Sequence, residues 1–375
     1  MKSKIWLSPP HIGRNEEAYI LEALKSNYIA PSGKNIDFFE NDIENYLGKH
    51  LNVVCLSSGT AAIHLALLQL GIKKEDDVLC QSFTFCASAN PITYLGANPI
   101  FIDSESETWN MSPKFLEEAI LDRLRIGKKP KAIICVHTYG MPAKIDEIIR
   151  ISKNYEIPLI EDAAEALGSK YKDERCGTFG DFSILSFNGN KIITTSTGGA
   201  LICKTKKEKE KTIYYSTQAK DDEMHYEHSE VGFNYRMSNI LAGIGRGQME
   251  VLNERVQKRQ DNHLFYNSLF SDSKNLTLFN EPNKDFNSNH WLNCITINED
   301  AGFTNYDIIH HLEKNNIESR PLWKPMHMQP VYNNAIFYGE NISEKLFSKG
   351  LCLPSGSNIT KDEKKRIAEL LDKFI

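Results

Sequence analysis

From residue 51 to about residue 203 the chain alternates short, nearly continuous apolar runs with longer stretches in which apolar residues return every three or four positions. The runs at 51–56, 78–80, 99–102, 132–136, 158–160, 182–187 and 200–203 have strand length and few polar residues. Strands that are apolar on both sides are covered on both faces, as parallel strands are when helices cross over them. The stretches between, at 61–70, 113–124 and 145–153, have helical spacing, and Ser112-Pro113 supplies a cap and a first helical residue. The pattern predicts an α/β fold with a mostly parallel central sheet, its functional groups at the carboxyl ends of the strands.

Ahead of this region, Asn15-Glu16-Glu17 opens a helix whose apolar side is Ala18, Leu21 and Leu24. Phe39, Ile43, Tyr46 and Leu47 mark a second amphipathic helix. After it, residues 205–239 read as polar and irregular, followed by a helix at 240–252. A charged helix at 254–269, a strand at 291–297, a helix at 306–315 and a terminal helix from 361 suggest a smaller α+β unit. The expected division is a large domain of residues 1–250 and a small C-terminal domain of residues 251–375. A length of 375 residues, against about 100–200 for a usual single domain, agrees with two.

Composition narrows the class. Net charge is −5 and the basic cluster 204–211 is broken by Glu208 and Glu210, so neither nucleic acid nor an anionic membrane is an expected partner. Residues 1–10 lack the apolar core of a signal peptide, and no apolar stretch is long enough to cross a bilayer. The eight cysteines are scattered, mostly in strand-like runs, with no Cys-x-x-Cys pair. That is the usage of reduced core cysteine in a cytoplasmic protein, and no zinc or other metal site is expected.

The candidate chemistry begins with Lys191, which has no charged residue near it in sequence between Asp181 and Lys204. A lysine among small polar residues, just past a buried strand, suits a nucleophile towards carbonyls. Ser57-Ser58-Gly59-Thr60-Ala61-Ala62 follows the first strand and opens a helix. Such a start offers unpaired amides to a phosphate, or is a plain strand-to-helix turn. Asp162 ends a central apolar run. A carboxylate there needs a partner such as a protonated ring nitrogen, or it caps residues 163–167. Phe83 and Phe85 follow the second strand, where an aromatic either stacks on a planar cofactor or packs in the core.

A phosphate-type helix start, an aromatic, a strand-end acid and an isolated lysine occur in that order at successive strand ends. With Ser57 through Ala62, Glu161-Asp162-Ala163-Ala164, Gly177-Thr178-Phe179-Gly180 and Ser186 through Lys191, the whole chain resembles the DegT/DnrJ/StrS sugar-nucleotide aminotransferases. The resemblance implies the fold type I architecture of aspartate aminotransferase and pyridoxal 5′-phosphate as cofactor. It implies that Lys191 bonds to the cofactor and moves the proton, that Asp162 keeps the pyridine nitrogen protonated, and that Phe85 stacks on the ring. Gly59, Thr60 and Ser186 would hold the phosphate. Asn234, in Gly232-Phe233-Asn234-Tyr235-Arg236, matches a residue that reaches the phosphate from a neighbouring subunit, which implies a homodimer with shared active sites.

Glu165 departs from the histidine or glutamine more usual in the family opposite the cofactor's phenolic oxygen. Ser196-Thr197-Gly198-Gly199 replaces the commoner Gly-Glu-Gly-Gly. Within the family the likeness is nearest to enzymes that aminate C4 of UDP-2-acetamido-2,6-dideoxy-4-ketohexose on the bacillosamine route. It rests on segments such as Leu7-Ser8-Pro9-Pro10-His11, His225-Tyr226-Glu227-His228 and Arg320 through His327. The implied reaction moves the amino group of L-glutamate to a nucleotide-linked 4-keto sugar, with Tyr28, Lys324 and His327 as substrate-binding residues and Trp323 as packing. Three alternatives stand beside it: a GDP-linked sugar of the perosamine type, a sugar dehydratase, and a relative without activity. The dehydratases of this fold carry histidine where Lys191 stands; a relative without activity would tolerate loss of the lysine, the acid or the phosphate site, all present here.

Overall fold

The computed structural model describes residues 3–48 and 50–375. Its strands in chain order are β1 (Asn52–Leu56), β2 (Asp77–Gln81), β3 (Asn98–Ile102), β4 (Ala132–Val136) and β5 (Leu159–Asp162), then a small hairpin of β6 (Lys170–Tyr171) and β7 (Glu174–Arg175). β8 (Phe182–Ser186), β9 (Gly199–Cys203), β10 (Leu276–Leu278), β11 (Phe286–Asn287) and β12 (Asn293–Ile297) follow, and β13 (Arg320–Pro321), β14 (Ile336–Tyr338) and β15 (Gly350–Leu353) complete the set. The central sheet is eight-stranded in the order β1-β9-β8-β5-β4-β2-β3-β14. Neighbours from β8 to β14 run parallel, while β9 is antiparallel to both β1 and β8.

Both faces of this sheet are covered, as continuous apolar strands require. The first six helices are α1 (Glu16–Lys25), α2 (Lys34–Leu47), α3 (Gly59–Gln69), α4 (Asn90–Tyr94), α5 (Pro113–Arg125) and α6 (Ile145–Tyr155). Leu79, Ile133 and Leu159 face α5 and α6, while Val78, Ile134 and Ile160 face α3. Ser112 caps α5 by accepting the Phe115 amide, as the sequence predicts. A second, four-stranded sheet, β10-β12-β15-β13, packs on helices Asn305–Lys314 and Lys361–Leu371. The chain crosses between the two sheets more than once: Ile5 bridges to Ile317, and β14 lies beside β3 in the central sheet.

The fold departs from the sequence reading at several elements. The polar stretch after 205 contains a helix, Lys206–Ser216, started by a reciprocal cap between Thr205 and Glu208. Residues 163–167 form a turn rather than a helix. The first helix, α1 (Glu16–Lys25), buries Glu16 and Ala23, whereas Leu21 and Leu24 stay exposed. Its orientation follows from the glycines of the helix Asn239–Glu250: a Cβ on Gly247 would come within 2.8 Å of the Glu16 backbone nitrogen. All eight cysteines are free, and Cys86 is the least buried of them. Among the described residues no helix is long and apolar enough to cross a membrane.

Candidate active site

The carboxyl ends of the parallel strands open into a cavity of about 690 Å³. At the end of β1, Ser58 caps α3 by accepting the Ala61 amide at 3.0 Å, and Gly59 begins the helix. The first amides of a helix have no intrahelical partner, so those of Gly59 and Thr60 are open to a ligand. Glycine is required behind them: a Cβ on Gly199 of β9 would stand 2.3 Å from the Gly59 nitrogen. A Cβ on Gly59 would in turn stand 3.3 Å from the Ser186 Cβ, so the end of β8 closes the same corner. A hydroxyl, a helix start and close backbone approach are the parts from which a phosphate cradle can be built.

At the end of β5 two adjacent carboxylates face opposite ways, as strand alternation requires. Glu161 points inward and is fully buried; burial pushes its carboxyl up, but His137 Nε2 at 2.9 Å, the Gly177 amide at 2.6 Å and Ser183 Oγ at 2.8 Å outweigh this and hold it low. The Phe179 and Gly180 amides donate to Oε2, the oxygen that Ser183 also reaches, while His137 and Gly177 engage Oε1, so the Gly177-Thr178-Phe179-Gly180 segment is the loop that solvates Glu161. Asp162 points to the cavity. Burial raises its pKa, against hydrogen bonds from Ser88 Oγ at 2.7 Å and the Ala164 amide at 3.1 Å.

Lys191, isolated in sequence, is paired in space. Its Nζ lies 3.0 Å from Glu165 Oε1 and 4.3 Å from the centroid of the Trp291 ring. The other oxygen of Glu165 accepts the Tyr139 amide at 2.8 Å, and burial lifts this carboxyl to about 7 against the opposing pull of Lys191. A carboxyl with that midpoint is available as a proton donor near neutral pH.

Phe85 stands at the rim, 56% exposed, with its ring 6.1 Å from that of Trp323. Phe83 is core. Lys324 lines the cavity, as does Arg320, whose guanidinium is held by Glu318 at 2.9 Å. Tyr28, Asn234 and His327 lie outside the cavity of their own chain. Tyr28 and Asn234 are exposed, and Asn239 at the start of its helix bonds the Tyr28 carbonyl at 3.0 Å. Both ring nitrogens of His327 are engaged, by Ser82 Oγ at 2.7 Å and Glu344 at 3.1 Å, and its ring stacks on Phe337. Sequence reasoning missed Ser88, Trp291 and the Glu318–Arg320 pair. The residues present fit pyridoxal phosphate: an anion cradle, a buried acid, a second acid near neutrality and a lysine amine share one cavity.

The family model described as the DegT/DnrJ/EryC1/StrS aminotransferase family matches residues 10–372. EpsN of Bacillus subtilis, named as a pyridoxal phosphate-dependent aminotransferase, is 49% identical over 99% of this chain and 96% of its own. GDP-perosamine synthase of Escherichia coli O157:H7 is 35% identical over 97% of each chain. The UDP-4-amino-4,6-dideoxy-N-acetyl-β-L-altrosamine transaminase of Campylobacter jejuni is 35% identical over 79% of this chain and 73% of its own. Among solved structures, Spr1654 from Streptococcus pneumoniae in its PLP form superposes with a TM-score of 0.89 at 26% identity, covering 99% of this chain and 100% of that one.

Proposed function

The chain belongs to the DegT/DnrJ/EryC1/StrS aminotransferase family, and from that premise we propose that it transfers the amino group of L-glutamate to C4 of a UDP-linked 4-keto-6-deoxy-N-acetylhexosamine, giving UDP-4-amino-4,6-dideoxy-GlcNAc. It is a pyridoxal phosphate-dependent nucleotide-sugar aminotransferase of fold type I. When bound, the cofactor supplies an aldehyde that takes up the amino group and a ring that absorbs the electrons released at the substrate carbon.

The residues divide the remaining work. Lys191 holds the cofactor and, as a free amine, carries the proton between the reacting carbons. Asp162 keeps a proton on the ring nitrogen, a role suited to a buried carboxylate already oriented by Ser88 and Ala164. Glu165, its carboxyl raised by burial to about 7, would donate to the phenolic oxygen in its protonated form, in place of the family's usual histidine or glutamine. Gly59, Thr60 and Ser186 hold the phosphate, and Phe85 covers one face of the ring. Lys324 meets the anionic part of the nucleotide, since no acid is paired with it among the described residues, whereas Arg320 is taken by Glu318.

Asn234 and Tyr28 serve the site of a second subunit. Their exposure and their absence from the lining of their own cavity support this reading, in which the working unit is a homodimer. The single observation that carries the reading is the lysine–glutamate pair at 3.0 Å in the same cavity as Asp162 and the start of α3.

GDP-linked 4-keto sugars are the second reading, favoured by the relative that makes GDP-perosamine. Incubating the loaded enzyme with glutamate and either UDP-4-keto-6-deoxy-GlcNAc or its GDP-linked mannose counterpart separates them, with NMR of the product at C4. The expected result is an amine formed on the UDP sugar; turnover confined to the GDP sugar overturns the choice of nucleotide. Lys191→Ala is expected to remain folded and lose all turnover, and retained turnover removes Lys191 from its role.

A further inference from the structure

Arg259 is among the largest fully buried side chains of the protein, 1% exposed, and among the described residues no carboxylate pairs with it. Burial pushes its guanidinium down to about 9, with Arg255 on the same helix acting in the same direction. An unpaired buried cation is costly, so its contacts call for a reason beyond filling space. Arg255, one turn earlier, serves an evident structural purpose, since its Nη2 donates to the His11 and Ile12 carbonyls of the N-terminal segment. Arg259 is engaged differently. Its Nη2 donates to Ser8 Oγ at 2.9 Å and its Nη1 to the Trp291 carbonyl.

Those two partners converge on one atom. Ser8 Oγ donates to the Asn190 carbonyl at 2.7 Å, and Trp291 Nε1 donates to the same carbonyl at 2.7 Å. Asn190 immediately precedes Lys191, whose Nζ lies over the Trp291 ring. The forked guanidinium thus ties together the segment before Lys191, the serine beside it and the aromatic floor beneath its amine. Lysine could not reproduce this, because two donors must leave the residue in a fixed plane at once.

We propose that Arg259 is a positioning residue for Lys191, acting through Ser8 and Trp291 to fix the Asn190 carbonyl and so the direction of the lysine amine. The proposal rests on Lys191 as the cofactor-bonding amine. The charged groups facing that amine are Glu165 and Asp162; those facing the guanidinium are Arg255 and His11.

The test uses the full-length loaded enzyme as wild type, Ser8→Ala and Arg259→Lys. Borohydride reduction followed by peptide mass spectrometry first establishes that the cofactor is bonded to Lys191 in the wild type. In Ser8→Ala the visible circular dichroism band of the bound cofactor should fall by about half or more, and kcat by about tenfold, with KM for both substrates within about twofold. Amide exchange of the peptide 187–195 should quicken in cofactor-free protein too, since Lys191 N donates to the Asn188 carbonyl within it. Arg259→Lys should do the same more strongly; if it does not fold, Ser8→Ala decides alone. A wild-type dichroism band and wild-type exchange in Ser8→Ala overturn the proposal, whatever its activity. No label at Lys191 in the wild type overturns the premise and the proposal together.

Discussion

Glu165 stands where the family more usually has histidine or glutamine, and what it can do there turns on its protonation. That depends on burial and on the Tyr139 amide, brought in from another strand end. Its carboxyl stands at about 7 in the folded chain against an ordinary value of 4.5. Between those values the folded state binds more protons than the unfolded one, so this group's contribution to stability falls as pH rises through the window and is level above it. Glu165→Gln removes the titration. In cofactor-free protein the urea-unfolding free energy of the wild type should drop relative to the variant by on the order of 3 kcal/mol between pH 4.5 and 7. A difference independent of pH would show that Glu165 titrates normally. That Lys191, Asp162, Phe85 and the Gly59-Thr60 helix start share one cavity was legible, because each lies at or just past the end of a strand, and Ser186 came from the family resemblance. Ser88, Trp291 and Arg259 were not, since each owes its importance to a neighbour far away in sequence.

Elements follow the same division. The spacing of Phe39 and Ile43 identified the buried side of the helix Lys34–Leu47 correctly. The same rule failed for α1, whose leucines face out. Hydropathy reports which residues avoid water, but α1 is oriented by backbone approach to Gly243 and Gly247, which carry no hydropathy signal. The edge strand β14 was missed for a related reason: three residues, Ile336–Tyr338, are too few for a period to show. Gly245 gives a test of the packing. Glycine to alanine inside a helix ordinarily stabilises by about 1 kcal/mol. Here the new Cβ would lie 2.5 Å from the ring of Phe39, which is completely buried. Gly245→Ala should therefore destabilise by about 1–3 kcal/mol, read as a lowered urea midpoint. An unchanged or higher midpoint would mean that the two helices separate at little cost.

For the molecule as a whole, the outward leucines of α1 acquire a meaning in the homodimer proposed above. Leu21, Leu24, Tyr28 and Ile29 are exposed together at α1 and the loop after it, and Asn239 binds that loop to the segment that carries Asn234. An apolar surface next to two candidate site residues that miss their own cavity is what a shared interface needs. If Asn234 serves the partner's cavity, Asn234→Ala and Lys191→Ala damage different halves of one site. Each variant alone should be nearly inactive. Dissociated, mixed in equal amounts and reassembled, they form mixed dimers in which one site combines an intact Lys191 from one subunit with an intact Asn234 from the other. With random pairing, half the dimers are mixed and half their sites are whole, so turnover should recover to about one quarter of the wild-type value. Sites built within a single chain would give no recovery, because every cavity would then carry one of the two lesions.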